Sequence, residues 1–93
     1  MATITREQTD SKLEEILSKP YILILHNDDV STFDFVIECL IKYVKHEYEQ
    51  ATQCAFLVHY TGKCDVKRGN QETIKKLYDI LKSAGLTVTM ELA

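Results

Sequence analysis

Five consecutive apolar residues, Tyr21-Ile22-Leu23-Ile24-Leu25, run without a break into a knot of hydrogen-bonding side chains, His26-Asn27-Asp28-Asp29. Alternation cannot choose a face for such a run, but its length and isoleucine content fit a strand covered on both sides, hence the centre of a sheet. Directly after the knot, Phe33, Phe35, Val36, Ile37, Leu40 and Ile41 recur at a spacing that suits a helix with a wide apolar face. The knot therefore sits where a strand turns into a helix. Aspartate and asparagine at such a junction have a plain structural use, because their side chains bond nearby backbone amides and start turns.

The rest of the chain bounds what this junction can serve. Its 93 residues make one domain, and three glycines with one proline leave little length for loops. A formal charge of -3 argues against a protein whose main task is gripping phosphate backbones, so no nucleic-acid partner is expected. No apolar segment approaches the ~20 residues that span a bilayer, and Met1 to Arg6 lacks a signal-peptide core, so the expectation is a cytoplasmic protein with no membrane partner. Cys39, Cys54 and Cys64 are odd in number and show no C-x-x-C spacing. Free thiols, buried at Cys39 and Cys54, are expected rather than disulfides or zinc.

Residues 1–20 read as a flexible N-terminal extension of low order, with a short helix conceivable from Thr9 to Leu17 and Pro20 stopping the extension before the first strand. The remainder, 21–93, reads as one folded core. Ser31 or Thr32 caps a helix reaching about Lys45, with Asp34 in its first turn. A second helix runs from about Glu47 to Tyr60. In it Ala51, Cys54, Ala55 and Val58 form an apolar stripe that Phe56 and Leu57 widen, His59 flanks the stripe, and Gly62 ends the helix. Lys63 to Arg68 suits a charged edge strand, and Gly69-Asn70 turns the chain. A third helix spans Gln71 to Ala84 with Ile74, Leu77, Tyr78 and Leu81 on one face, stopped by Gly85. Leu86, Val88, Met90 and Leu92 alternate with polar residues as a final strand facing the core. The expected fold class is α+β: a β-α-α-β-α-β two-layer sandwich, with a three-stranded, mostly antiparallel sheet packed on three helices.

Several chemistries can be weighed on these residues. His26, Asp28, Asp29 and His59 lack any recurrent ligand spacing, so no metal is expected. A thiol nucleophile needs an electropositive, accessible setting, and only Cys64 has a cation beside it, Lys63. No glycine-rich loop follows the first strand to cradle phosphate. No catalytic residue and no cofactor are expected. An ammonium group, by contrast, wants converging acceptors. Asn27, Asp28, Asp29 and a neutral His59 can supply them, beside an apolar lining from Phe33, Val36, Ala55 and Val58. A charged mouth on an apolar pocket suits an amine bearing a greasy side chain.

Asn27-Asp28-Asp29, Phe35-Val36, Ala51-Thr52 and Val58-His59-Tyr60-x-Gly62-Lys63 together resemble the ClpS family, bacterial adaptors that hand proteins bearing N-terminal degradation signals to a Clp AAA+ unfoldase and its peptidase. The resemblance covers about residues 21–92 and implies the same β-α-α-β-α-β fold and a non-enzymatic adaptor. It implies that Asn27, Asp29 and His59, with Asp28 helping, hold the substrate's free α-amino group. It further implies a side-chain pocket at Thr32, Phe33, Val36, Ala55, Val58 and Leu86, for N-terminal Phe, Tyr, Trp or Leu. The implied partners are these N-degron substrates and the N-terminal domain of a ClpA- or ClpC-like unfoldase, with Glu72 and Lys75 in the region facing it, and the adaptor acts as a monomer. The family usually has methionine where Phe33 stands and proline where Thr32 stands, and often methionine at Ala55. The alternative is a general protein-interaction or ribosome-associated module of the same architecture, in which the knot is only a turn.

Overall fold

The computed structural model describes residues 19–93; the expected low-order extension and the conceivable helix from Thr9 to Leu17 lie outside the described residues, apart from Lys19 and Pro20. Strand β1, Pro20–His26, is the middle of a three-stranded sheet. It is flanked by β2, Lys63–Asn70, and β3, Thr87–Leu92, both antiparallel to it. The first strand is thus central, as its unbroken apolar run predicts. Pro20 does not precede the strand but opens it, a position where a missing N–H costs no ladder bond, and its carbonyl accepts from the Ala93 amide at 3.0 Å.

Three α-helices follow the predicted order: α1 at Phe33–Cys39, α2 at Tyr48–Thr61 and α3 at Gln71–Ser83. Local chemistry sets their starts. The Thr32 hydroxyl accepts from the Phe35 amide at 3.1 Å, and the Asn70 carboxamide oxygen accepts from the Thr73 amide at 2.8 Å. Leu23 and Leu25 of β1 pack with Val36, Ile37 and Leu40 from the first helical segment, Ala51, Cys54, Ala55 and Val58 from α2, and Ile74 and Leu81 from α3. Full burial of a leucine such as Leu23, at 0% exposure, stabilises the fold by about 2–3 kcal/mol. Cys39 and Cys54 are buried free thiols, and burial pushes both thiols up from their ordinary range.

β2 runs on through Gly69 and Asn70, expected as a turn, and the structure departs from the sequence expectations in three further places. The first helix does not continue regularly to Lys45: α1 gives way to a π-helical turn, Leu40–Val44, closed by Lys45 in the left-handed region at φ 68°. Leu40 and Val44 stay in the core while His46, 7% exposed, is anchored by its Nε2 to the Val66 carbonyl at 2.6 Å, and the widened turn reconciles the two demands. Second, Phe35, Ile41, Phe56 and Leu57 are exposed rather than part of the buried face. A helix against one sheet buries a single stripe, and Val36, Ala55 and Val58 already occupy it. Third, Leu92, which the alternation places facing the core, is exposed at the end of β3.

The β1–β2 register also slips once. Leu23 pairs with Lys67 and Ile24 with Asp65, which leaves Val66 as the extra residue of a bulge. Val66 is buried, so the bulge turns one more apolar side chain inward.

Candidate functional site

The knot leaves β1 at the end where His26 pairs with Lys63 on one side and Thr87 on the other. The next amide, Asn27 N–H, donates to the Gly62 carbonyl at 2.8 Å. Gly62 closes α2 with φ 97°, a conformation that only glycine adopts without strain, and its own amide returns to the Val58 carbonyl at 3.0 Å. One backbone bond thus fixes the start of the knot against the end of the helix that carries His59. Asn27 and His59, distant in sequence, become neighbours on the wall of one cavity.

The two aspartates of the knot divide. The Asp28 carboxylate accepts from the Ser31 amide at 2.6 Å, the Val30 amide at 2.9 Å, the Ser31 hydroxyl at 3.2 Å and the Thr87 hydroxyl at 3.4 Å. The Ser31 amide above all holds its carboxyl below the ordinary carboxylate value, with desolvation opposing. Its acceptor capacity is largely spent on building the turn and tying it to β3, and it does not lie on the cavity wall. Asp29 is exposed and does not line the cavity either.

The cavity, about 30 Å³, is lined by Asn27, Ser31, Phe33, Val36, Ala55, Val58 and His59. Val36, Ala55 and Val58 form a buried apolar floor from α1 and α2, while Asn27 and His59 are exposed at its mouth. Among the described residues neither polar side chain has a hydrogen-bond partner, so the carboxamide of Asn27 and the ring nitrogens of His59 are available to a ligand. The His59 ring stands edge-on to Tyr60, with centroids 4.9 Å apart. Phe33, half-buried, forms a side of the cavity and meets Phe56 edge-to-face at 4.9 Å, and Phe56 stacks on Tyr60 at 5.9 Å. A volume of about 30 Å³ matches a water molecule's share of liquid and is far below that of an aromatic side chain. The floor is formed and the cavity is small.

Of the residues that the sequence analysis assembled, Asn27, His59, Phe33, Val36, Ala55 and Val58 meet here. Thr32 does not line the cavity, since its hydroxyl caps α1, and Leu86, 3% exposed, is packed into the core. Ser31 is a wall residue that the sequence suggested only as a helix cap; the Asx turn made by Asp28 is what turns it inward. Glu72 and Lys75 lie elsewhere, on the first turns of α3 beside Asn70 and Gln71. They sit in i,i+4 ion pairs, Glu72 with Lys76 at 3.7 Å and Lys75 with Asp79 at 3.0 Å. Among the described residues no group of three or more histidine, cysteine or acidic side chains is placed to hold a metal, and no helix is long and apolar enough to cross a membrane.

Known proteins resemble this chain along most of its length. Residues 17–89 match the family profile described as "ATP-dependent Clp protease adaptor protein ClpS". The chain is 33% identical over 87 residues to the ATP-dependent Clp protease adapter protein ClpS of Nostoc sp., covering 92% of this chain and 89% of that protein. It is 45% identical over 56 residues to the protein of the same name from Erwinia tasmaniensis; there the match takes in 58% of this chain and 53% of the relative, about half its length. Among solved structures, Agrobacterium tumefaciens ClpS2 bound to L-phenylalaninamide superposes with a TM-score of 0.70 at 25% identity, over 81% of this chain and 98% of that one.

Proposed function

The chain belongs to the ClpS family of ATP-dependent Clp protease adaptors, and on that premise we propose that it binds the free α-amino group and bulky first side chain of proteins beginning with Phe, Tyr, Trp or Leu, and delivers them to a Clp AAA+ unfoldase. The observation that carries this reading is the juxtaposition of Asn27 and His59, two polar side chains without a hydrogen-bond partner among the described residues, at the mouth of an apolar cavity floored by Val36, Ala55 and Val58. An α-ammonium donates to the Asn27 oxygen and to a neutral His59 nitrogen, with the exposed Asp29 carboxylate supplying charge alongside. Asp28 serves indirectly, by fixing the turn from which Asn27 and Ser31 project. The related ClpS2 binds a phenylalanine derivative with a free amine, which supports the same ligand class for this chain.

The side chain requires more room than the cavity offers. Phe33 swings aside to admit it, a motion eased by its contact with Phe56, a ring 47% exposed. Calorimetry against short peptides beginning with Phe or Leu tests the reading. Binding is expected with a free amine and lost when the amine is acetylated; equal affinity for the blocked peptide would refute it. Asn27→Ala and His59→Ala should each weaken binding by about 1.5–3 kcal/mol, the worth of a hydrogen bond to a charged group, and leave the melting temperature nearly unchanged.

For delivery, the exposed first turns of α3 carry Glu72 and Lys75 as the contact with the N-terminal domain of a ClpA- or ClpC-like unfoldase. Reversing both charges, Glu72→Lys with Lys75→Glu, should lower adaptor–unfoldase affinity while peptide binding persists. Unchanged affinity for the unfoldase domain removes α3 from the contact.

A further inference from the structure

At the opposite end of the first helical segment from the amine site, three irregularities meet: the π-helical turn Leu40–Val44, the left-handed Lys45 and the Val66 bulge of β2. His46 sits among them at 7% exposure. Its Nε2 lies 2.6 Å from the Val66 carbonyl, which can only accept, so Nε2 donates, and in the neutral ring Nδ1 bears the lone pair. That Nδ1 is buried and has no partner among the described residues. The histidine also borders a cavity of about 440 Å³ that shares no residue with the amine site. Its wall sets three fixed cations, Lys45, Lys67 and Arg68, against one carboxylate, Asp65. None of the four is in an ion pair among the described residues, where the ion pairs are Lys75–Asp79 and Lys76–Glu72. A local excess of positive charge on a chain of net charge -3 is not a by-product of a basic composition.

We propose that this cleft binds a phosphate-class oxyanion, either inorganic phosphate or the phosphate of a monoester. The cations from both sides of the cleft supply charge-assisted hydrogen bonds to its oxygens. The unpartnered Nδ1 adds a discriminating requirement. Inorganic phosphate keeps a P–O–H throughout the neutral range, whereas a monoester keeps one only below its second pKa of about 6; that P–O–H donates to Nδ1, satisfying the buried acceptor, and sulfate, of similar shape, has no such proton. Because Nδ1 is closed off from solvent, its engagement requires the ring to shift toward the cleft. The volume exceeds that of a phosphate group and leaves space for the organic part of an ester against Ile22 and Val44.

Calorimetric titration of the full chain at constant ionic strength, with sodium phosphate, O-phosphoserine, a phosphoserine peptide and sodium sulfate, tests this. Phosphate is expected to bind about tenfold or more tightly than sulfate, the factor given by one buried hydrogen bond. A phosphopeptide that outbinds free phosphoserine identifies a phosphorylated segment as the source, and equal binding identifies a small molecule. Lys67→Gln with Arg68→Gln, both exposed positions, should weaken phosphate binding by about tenfold or more while free-amine peptide affinity stays put. His46→Gln, which keeps an N–H for the Val66 carbonyl but removes the ring lone pair, should narrow the gap between phosphate and sulfate. Equal affinity for the two anions, no binding of either, or a paired charge variant that binds phosphate like the parent overturns the proposal.

Discussion

Asn27 and Asp28 are adjacent, both polar and both at the end of the same strand, yet the fold gives them opposite work. Asp28 holds two backbone amides and two hydroxyls, whereas the Asn27 side chain has no partner among the described residues and faces the cavity. Asp28→Asn should therefore lower stability by about 1 kcal/mol, through weaker bonds to Val30 and Ser31. The pH dependence follows from the sign of its shift. A carboxyl held below its unfolded value near 3.8 contributes stability that is fully present above that value and is lost as pH falls through the folded one. Thermal melts between pH 2 and 5 should show a shallower acid limb for Asp28→Asn than for the parent. An identical acid limb would mean that the turn does not draw on the ionised carboxylate.

Among the elements, the joint between β1 and α2 decides the site. The Asn27 amide reaches the carbonyl of Gly62, and Gly62 reaches Val58, so the strand end and helix end are set against one another through a single left-handed residue. A methyl group on Gly62 meets nothing within 4 Å, so Gly62→Ala costs only the conformational penalty at φ 97°, about 1–2 kcal/mol. The expected result is a modest fall in melting temperature with a larger fall in peptide affinity, because relaxing φ moves the carbonyl that positions Asn27 relative to His59. Equal loss in both measurements would show that the joint only supports the fold. The same physics acts less gently after the π-helical turn, where Lys45 takes a left-handed conformation that a lysine does not favour, and the next residue, His46, is anchored to the Val66 carbonyl.

Across the whole molecule, the helical layer serves both as core and as pocket floor. Leu40, 0% exposed, packs among the strands and helices that carry the site; Leu40→Ala should cost about 2–5 kcal/mol in denaturant unfolding, a large part of the stability of a domain this small. Phe33→Ala, at a half-buried side of the cavity, should cost less and open the entrance, raising affinity for N-terminal Trp relative to Leu; an unchanged ranking would show that Phe33 does not limit the pocket. The order of elements, the central position of β1, a cap at Ser31 or Thr32 and the stop at Gly62 were legible in the sequence, because each depends on residues a few positions apart. The choice between Asn27 and Asp28, the exposure of Phe56 and Leu57 beside buried Ala55 and Val58, the π-helical turn after Cys39 and the narrow cavity behind Phe33 were not. Each depends on how segments far apart in sequence are held in register: the Asn27–Gly62 bond, the bulge at Val66, the His46 anchor and the contact of Phe33 with Phe56. Periodicity and capping determine which segments form and where they end, while the surfaces they share are settled only when the whole chain packs.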